Sequence, residues 1–124
     1  MVLSPYVIAF DQTLAEAHRL MGEHAVRHLP VMRDGHPVGL LSQRDITAVL
    51  GVSGQNARHV HVAEAMTPVP YAVPPGMPLQ RVVRMMAQHQ YGCAIVTDDA
   101  TDRVIGVFTI TDALNVLAEI LDGR

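Results

Sequence analysis

A chain of 124 residues has the size of one compact domain, or of two half-sized units packed together, and its 49% apolar and 17% charged residues suit a folded body, not a disordered one. The formal net charge is -3 with a pI near 6.1, so the basic footprint that binding to a phosphate backbone requires is missing, and nucleic acid is not an expected partner. No apolar run is long enough to span a bilayer, and residues 1–10 contain no Lys or Arg and are interrupted by Pro5, so neither a membrane nor a secretory route is expected and the location reads as cytoplasmic.

Taken in chain order, the elements begin with a short extended piece, followed by Leu14, Ala17 and Met21 at helical spacing. Asp11 stands where it could start that helix, and Gly22 is a weak point within it. Residues 29–32 and 37–41 are short apolar runs around Arg33-Asp34-Gly35-His36, where Asp-Gly signals a hairpin turn. A second helix is expected after Ser42. Residues 51–58, with Ser53-Gly54-Gln55-Asn56, have the composition of a connecting loop. Beyond it, Leu79, Val82, Val83, Met86 and Ala87 recur at helical spacing behind Pro78, which suits a first turn. Apolar runs at 93–97 and 104–108 flank a longer turn, and a last helix after Thr109 carries Ala113, Leu114, Leu117, Ile120 and Leu121 on one face.

This order is the same series read twice. At an offset of 65 residues Met1 matches Met66, Tyr6 matches Tyr71, Leu14 matches Leu79, Arg19 matches Arg84, Met21 matches Met86, His24 matches His89 and Val31 matches Val96. Further on, Gly39 matches Gly106, Ser42 matches Thr109, Asp45 matches Asp112, Val49 matches Val116 and Leu50 matches Leu117, an offset larger by two. The two extra residues fall in the turn at 98–103, where an insertion costs least. The expected fold is therefore α/β (α+β), with two β-α-β-β-α repeats packed with pseudo-two-fold symmetry because neither can bury its sheet face alone. The boundaries read as repeat 1 at 1–50, a linker at 51–65 and repeat 2 at 66–124, all within one module of 1–124. Clefts between such repeats are natural ligand sites.

Three features now bear on the family. Ala65-Met66-Thr67-Pro68 precedes the second repeat, and residues 1–5 look like the same opening. His28-Leu29-Pro30-Val31 runs into a short turn. Most specific is the heptad Gly39-Leu40-Leu41-Ser42-Gln43-Arg44-Asp45, matched by Gly106-Val107-Phe108-Thr109-Ile110-Thr111-Asp112. On these residues the chain resembles the CBS (cystathionine-β-synthase) domain pair, or Bateman module, over nearly its whole length. The resemblance implies a non-catalytic regulatory, energy-sensing module. It would need no cofactor, but would bind a regulatory adenosine ligand, AMP, ADP, ATP or S-adenosylmethionine, between the repeats and signal to a separate partner protein. It also implies a homodimer formed through the helices.

By the same resemblance, Asp45 and Asp112 would take the ribose hydroxyls, a task that suits a carboxylate accepting from two neighbours. Ser42 and Thr109 would sit against phosphate, helped by N–H groups at the helix start. Ile8, Leu29, Pro30 and Val31 would flank adenine in one cleft and Val73, Ala94 and Val96 in the other, with Arg27 and Arg44 neutralising phosphate. The second repeat has Thr111 where the first has Arg44, and Ile95 where the first has Pro30, so the first is the better equipped for an anionic nucleotide. Ser-x-x-Asp and Thr-x-x-Asp before a helical run are also capping-box patterns, and the two roles can coexist.

Other signals point less far. Cys93, the one cysteine, lies in an apolar run and reads as a small buried hydrophobe, not as a catalytic thiol. Met21, Met85 and Met86 read as core filler. The seven histidines, with His59 and His61 on one side of an extended segment, are the basis of a metal-binding alternative, but no Cys-x-x-Cys or His-Glu-x-x-His accompanies them. No nucleophile-base pairing or phosphate-cradling glycine loop supports an enzyme. A second alternative is a ligand-free dimerisation or scaffold module.

Overall fold

The computed structural model of the chain describes residues 6–53, 56–68, 71–98 and 100–123. The chain divides into two compact units, one formed by Tyr6–Pro70 and the other built on Tyr71–Arg124, each with its own sheet and its own core. The mixed α/β composition and the doubled β-α-β-β-α order are those expected from the sequence.

In the first unit, β1 (Ile8–Ala9) pairs in parallel with β2 (His28–Arg33), which runs antiparallel to β3 (His36–Ser42). Asp34 and Gly35 have φ of 51° and 81°, left-handed at both central positions, as a two-residue hairpin requires. Between the strands lies α1 (Leu14–His24), which buries Leu14, Ala17 and Met21, the stripe the spacing predicts. Its start lies two residues beyond Asp11: the Thr13 side chain accepts from the Glu16 N–H at 3.2 Å, because Thr13 is the last extended residue and only its hydroxyl can reach the unpaired first-turn donors.

The second helix, α2 (Gln43–Ser53), continues into the stretch whose composition reads as loop. Gly51 is exposed there, and a glycine near a helix end costs less than one in the interior. Residues 56–65 of the inter-repeat segment are also structured. Val60 and Val62 are 1% and 0% exposed and join the first core, while His59 and His61 alternate with them toward solvent. The Leu14 N–H donates to the Val60 carbonyl at 2.9 Å and the Val62 N–H donates to the Gln12 carbonyl at 2.7 Å, leading into α3 (Val62–Ala65). After it β4 (Thr67–Pro68) adds to the free edge of β3, pairing with Gly39 and Leu40.

The second unit repeats the plan with β5 (Ala72–Val73), α4 (Leu79–His89), β6 (Cys93–Thr97), β7 (Val104–Thr109) and α5 (Ile110–Asp122). Pro78 stands just outside α4 as its cap, where its carbonyl accepts from the N–H groups of Arg81 and Val82. The duplication extends to fine detail. Ile8 lies opposite Val31 and Val73 opposite Val96, a bulge follows Val31 and Val96, and α1 and α4 end on left-handed Ala25 and Gln90.

Two outcomes follow from this packing. A Cβ on Gly39 would lie 2.6 Å from Met66 Sδ and 2.9 Å from the Thr67 carbonyl oxygen, so Gly39→Ala must push β4 away; it is expected to destabilise the protein by about 1–3 kcal/mol, read as a lowered thermal midpoint. Burial raises the Cys93 thiol to about 11, so the reactive thiolate is scarce at pH 8. Iodoacetamide at that pH is expected to leave the folded protein unlabelled over a time in which urea-unfolded chain is fully alkylated.

Candidate ligand-binding site

At the junction of β3 and α2 the chain turns from strand to helix at Ser42, and the first-turn N–H groups need partners. The Ser42 N–H donates to Asp45 Oδ2 at 3.0 Å and the Asp45 N–H donates to Ser42 Oγ at 3.0 Å, a reciprocal capping box. The β7 to α5 junction is built in the same way. There the Thr109 N–H donates to Asp112 Oδ2 at 2.8 Å, the Asp112 N–H donates to Thr109 Oγ1 at 3.3 Å, and the Thr109 hydroxyl lies 3.1 Å from the same carboxylate oxygen. Both Ser/Thr-x-x-Asp motifs cap their helices.

A third strut ties each junction to the preceding strand. The Gln43 N–H donates to the Arg27 carbonyl at 3.0 Å, and the Ile110 N–H donates to the Gly92 carbonyl at 3.3 Å. The backbone of Arg27 is thereby held beside Ser42, Arg44 and Asp45 at the start of α2, with both arginines exposed and Ser42 and Asp45 half-buried. The N–H groups of Gln43 and Asp45 are already used within the junction, so a phosphate arriving there would be met mainly by the two guanidinium groups. In the first box Asp45 Oδ2 is engaged, and Oδ1 lies outside it.

The second repeat places Thr109, Thr111 and Asp112 correspondingly, but Gly92 stands where the first repeat has Arg27. At these two positions the first repeat thus has arginines and the second has uncharged residues. The 65-residue offset pairs Arg27 with Gly92, a contrast as visible in the sequence as that of Arg44 with Thr111.

The apolar residues assigned to adenine lie deeper. Ile8, Leu29 and Val31 belong to the core of the first unit, and Val73, Ala94 and Val96 to that of the second, all packed against their own helices. Pro30 is fully buried too, but outside that core cluster. Strand alternation accounts for the placement of Leu29 and Val31, which share the face that α1 covers.

Among the described residues, no group of three or more His, Cys, Asp or Glu side chains is arranged to hold a metal ion. His61 serves locally: its backbone N–H donates to Glu64 Oε2 at 2.7 Å where α3 begins, and its ring Nδ1 lies 3.5 Å from the same oxygen. His24 stacks on Tyr6 with ring centroids 3.7 Å apart, and His89 stacks on Tyr91 at 5.2 Å. None of the described helices is long and apolar enough to cross a membrane.

Comparison with known proteins agrees with this construction. The sequence profile of the family described as CBS domain matches the chain twice, at residues 1–51 and 62–119. The CBS domain-containing protein YhcV of Bacillus subtilis (strain 168) is 30% identical over 102 residues, covering 82% of this chain and 71% of that protein. The hexameric CBS-CP12 protein from bloom-forming cyanobacteria superposes with a TM-score of 0.73 at 25% identity, over 92% of this chain and 66% of that one. CBSX2, solved in complex with AMP, superposes with a TM-score of 0.68 at 23% identity, over 93% and 89% of the two chains, a likeness of fold. With its strand-to-helix heptad present in both units and each unit matched by the profile, the chain belongs to the CBS domain family as a pair of CBS domains.

Proposed function

We propose that this CBS pair is a non-catalytic regulatory module, acting in the cytoplasm as a homodimer, whose first repeat binds a phosphate-bearing adenosine compound and passes its occupancy to a partner protein. The observation that carries the reading is the grouping of Arg27 and Arg44 with the Asp45 carboxylate at the start of α2. Asp45 Oδ1 accepts from the ribose hydroxyls while Oδ2 stays in the cap, and the two guanidinium groups take the phosphates through charge-assisted bonds. AMP, ADP and ATP suit this charge pattern. S-adenosylmethionine, with its cationic sulfonium, suits it poorly and is the better match for the second repeat, where Gly92 and Thr111 replace the cations. That CBSX2 was solved with AMP and that CBS-CP12 is hexameric support ligand binding and self-association respectively.

A ligand changes a regulated protein only by binding one arrangement better than another. Here the ligand shares Asp45 with the cap that starts α2, so binding stiffens the junction. A scaffold without ligand is the second reading, favoured by the fact that the Gln43 and Asp45 N–H groups are satisfied without one.

Titration calorimetry with AMP, ATP and S-adenosylmethionine separates the two readings. Heat with the nucleotides and a matching rise in thermal midpoint are expected, whereas silence with all three would leave the scaffold. Asp45→Ala is expected to lower nucleotide affinity by about tenfold or more, while costing stability only the ~1 kcal/mol of a lost cap; equal losses would mean a purely structural aspartate. In the double variant Arg27→Ala/Arg44→Ala, the affinity for ATP should fall further than that for adenosine, and a uniform loss would remove the arginines from phosphate binding.

A further inference from the structure

We infer that the corner before α4 in the second repeat docks a short acidic segment of the partner protein, which bridges it through backbone bonds and sets a β-branched residue on either side of the bridge. This rests on the partner reading above and adds where that protein docks and by what kind of segment. The first repeat shows how such a corner is filled. Around an antiparallel bridge between Thr13 and His61, the N–H groups of Leu14 and Ala15 donate to the carbonyls of Val60 and Ala57 at 2.9 and 3.1 Å. The N–H groups of Val62 and Ala63 donate in turn to the carbonyls of Gln12 and Phe10 at 2.7 and 3.0 Å. Val60 and Val62 enter the core on either side of His61, and Leu14 is 0% exposed.

The second repeat keeps this frame and leaves it open. Pro78 stands extended at the cap of α4 as Thr13 does at the cap of α1, and none of the four bonds uses the Thr13 N–H, so a proline there leaves the frame usable. Leu79, the counterpart of Leu14, is 43% exposed, and Pro78 and Gln80 are exposed beside it. Among the described residues, the N–H groups of Leu79 and Gln80 and the carbonyls of Pro75 and Met77 take part in no corresponding bond. A hollow of about 540 Å³ opens along the helix from Leu79 and Gln80. An exposed leucine beside open donors and acceptors suits a bridging segment, whose backbone bonds give affinity and whose flanking side chains give specificity.

Charge names the occupant. Where α1 has Glu16 and Glu23 around Arg19, α4 has Arg81 and Gln88 around Arg84. α4 carries no carboxylate, and among the described residues no salt bridge engages Arg81 or Arg84. Arg84 lines the hollow that opens from Leu79. The chain's own segment places Arg58 and His59 before Val60, which suits the acidic residues of α1 and not the arginines of α4. The match for the second corner is therefore a segment of another protein with acidic residues at those two places.

Two synthetic peptides test this against the full chain: residues 56–66 as they stand, and the same segment with Arg58→Glu and His59→Glu. In dilute free chain the Leu79 and Gln80 amides should exchange hydrogen about tenfold or more faster than those of Leu14 and Ala15. Equal protection would mean the corner is already filled, and protection that grows with chain concentration would give it to a second copy; either overturns the proposal. The acidic peptide should slow exchange at Leu79 and Gln80 and bind about tenfold tighter than the unmodified one at low salt. Leu79→Asp, at an exposed position, should lower its affinity by about tenfold or more with the thermal midpoint unchanged. Arg81→Ala/Arg84→Ala should abolish the preference for the acidic peptide, and a preference that survives would remove the arginines from the contact and overturn the acidic occupant. Absence of binding, or binding indifferent to Leu79→Asp, overturns the docking corner, while the nucleotide titrations above judge the sensing role separately.

Discussion

A strand that ends where a helix begins leaves N–H groups without partners, and in this protein the reciprocal bonds of Ser42 with Asp45, and of Thr109 with Asp112, satisfy the problem twice over. The backbone bonds from Gln43 to Arg27 and from Ile110 to Gly92 then fix each helix start against the strand before it. With that corner held, α2 lies where Ile46 reaches the first core, beneath the sheet residues Leu29, Val31 and Leu41. The backbone of Arg27 is held at the start of α2 by the first of these bonds, and Arg44 lies in the first turn of that helix. Local backbone satisfaction, sheet packing and the candidate site are consequences of one corner.

Much of this was legible in the sequence because a repeat is a strong constraint. A residue such as Leu14 or Val31, ambiguous when read alone, acquires a partner in Leu79 or Val96 and with it an element and a face. The hairpin turn was legible because Asp34-Gly35 can take two left-handed residues at small cost. The start of α1 was harder. Asp11 and Thr13 are both good caps, and which one is used depends on where the extended chain ends, set by the pairing of Ile8 and Ala9 with β2. The linker reading was least informative about structure. Ser53-Gly54-Gln55-Asn56 dominates its composition, while the alternation of Val60 and Val62 with two histidines marks a half-buried segment. The apolar strand residues that the family resemblance sets beside adenine alternate toward α1 and α4 and belong to the cores of their units.

The two units keep one backbone plan and differ in what they show the solvent. The first covers its helices with its own following segment, through Val60, Val62 and Ala65, and surfaces α1 with ion pairs. The second leaves apolar residues of α4 and α5 exposed, and its strand-to-helix corner has Gly92 and Thr111 in place of the two arginines. Matching scaffolds thus carry one strand-to-helix corner with two arginines and one without, and only the second carries a last helix with a broad exposed apolar face. Such a division is open to a duplicated fold because surface side chains change without disturbing the corner that holds the backbone.

The turn between β6 and β7 is longer than its counterpart, and it closes on itself: the Asp98 N–H donates to the Arg103 carbonyl at 2.8 Å, and Asp98 Oδ1 accepts from the Ala100 N–H at 2.8 Å. It lies at the end of the hairpin opposite Thr109, so residues added there displace neither cap nor core. This tip is therefore a natural graft point, where a fluorophore or an inserted peptide can be carried as cargo while both halves of the molecule keep their geometry.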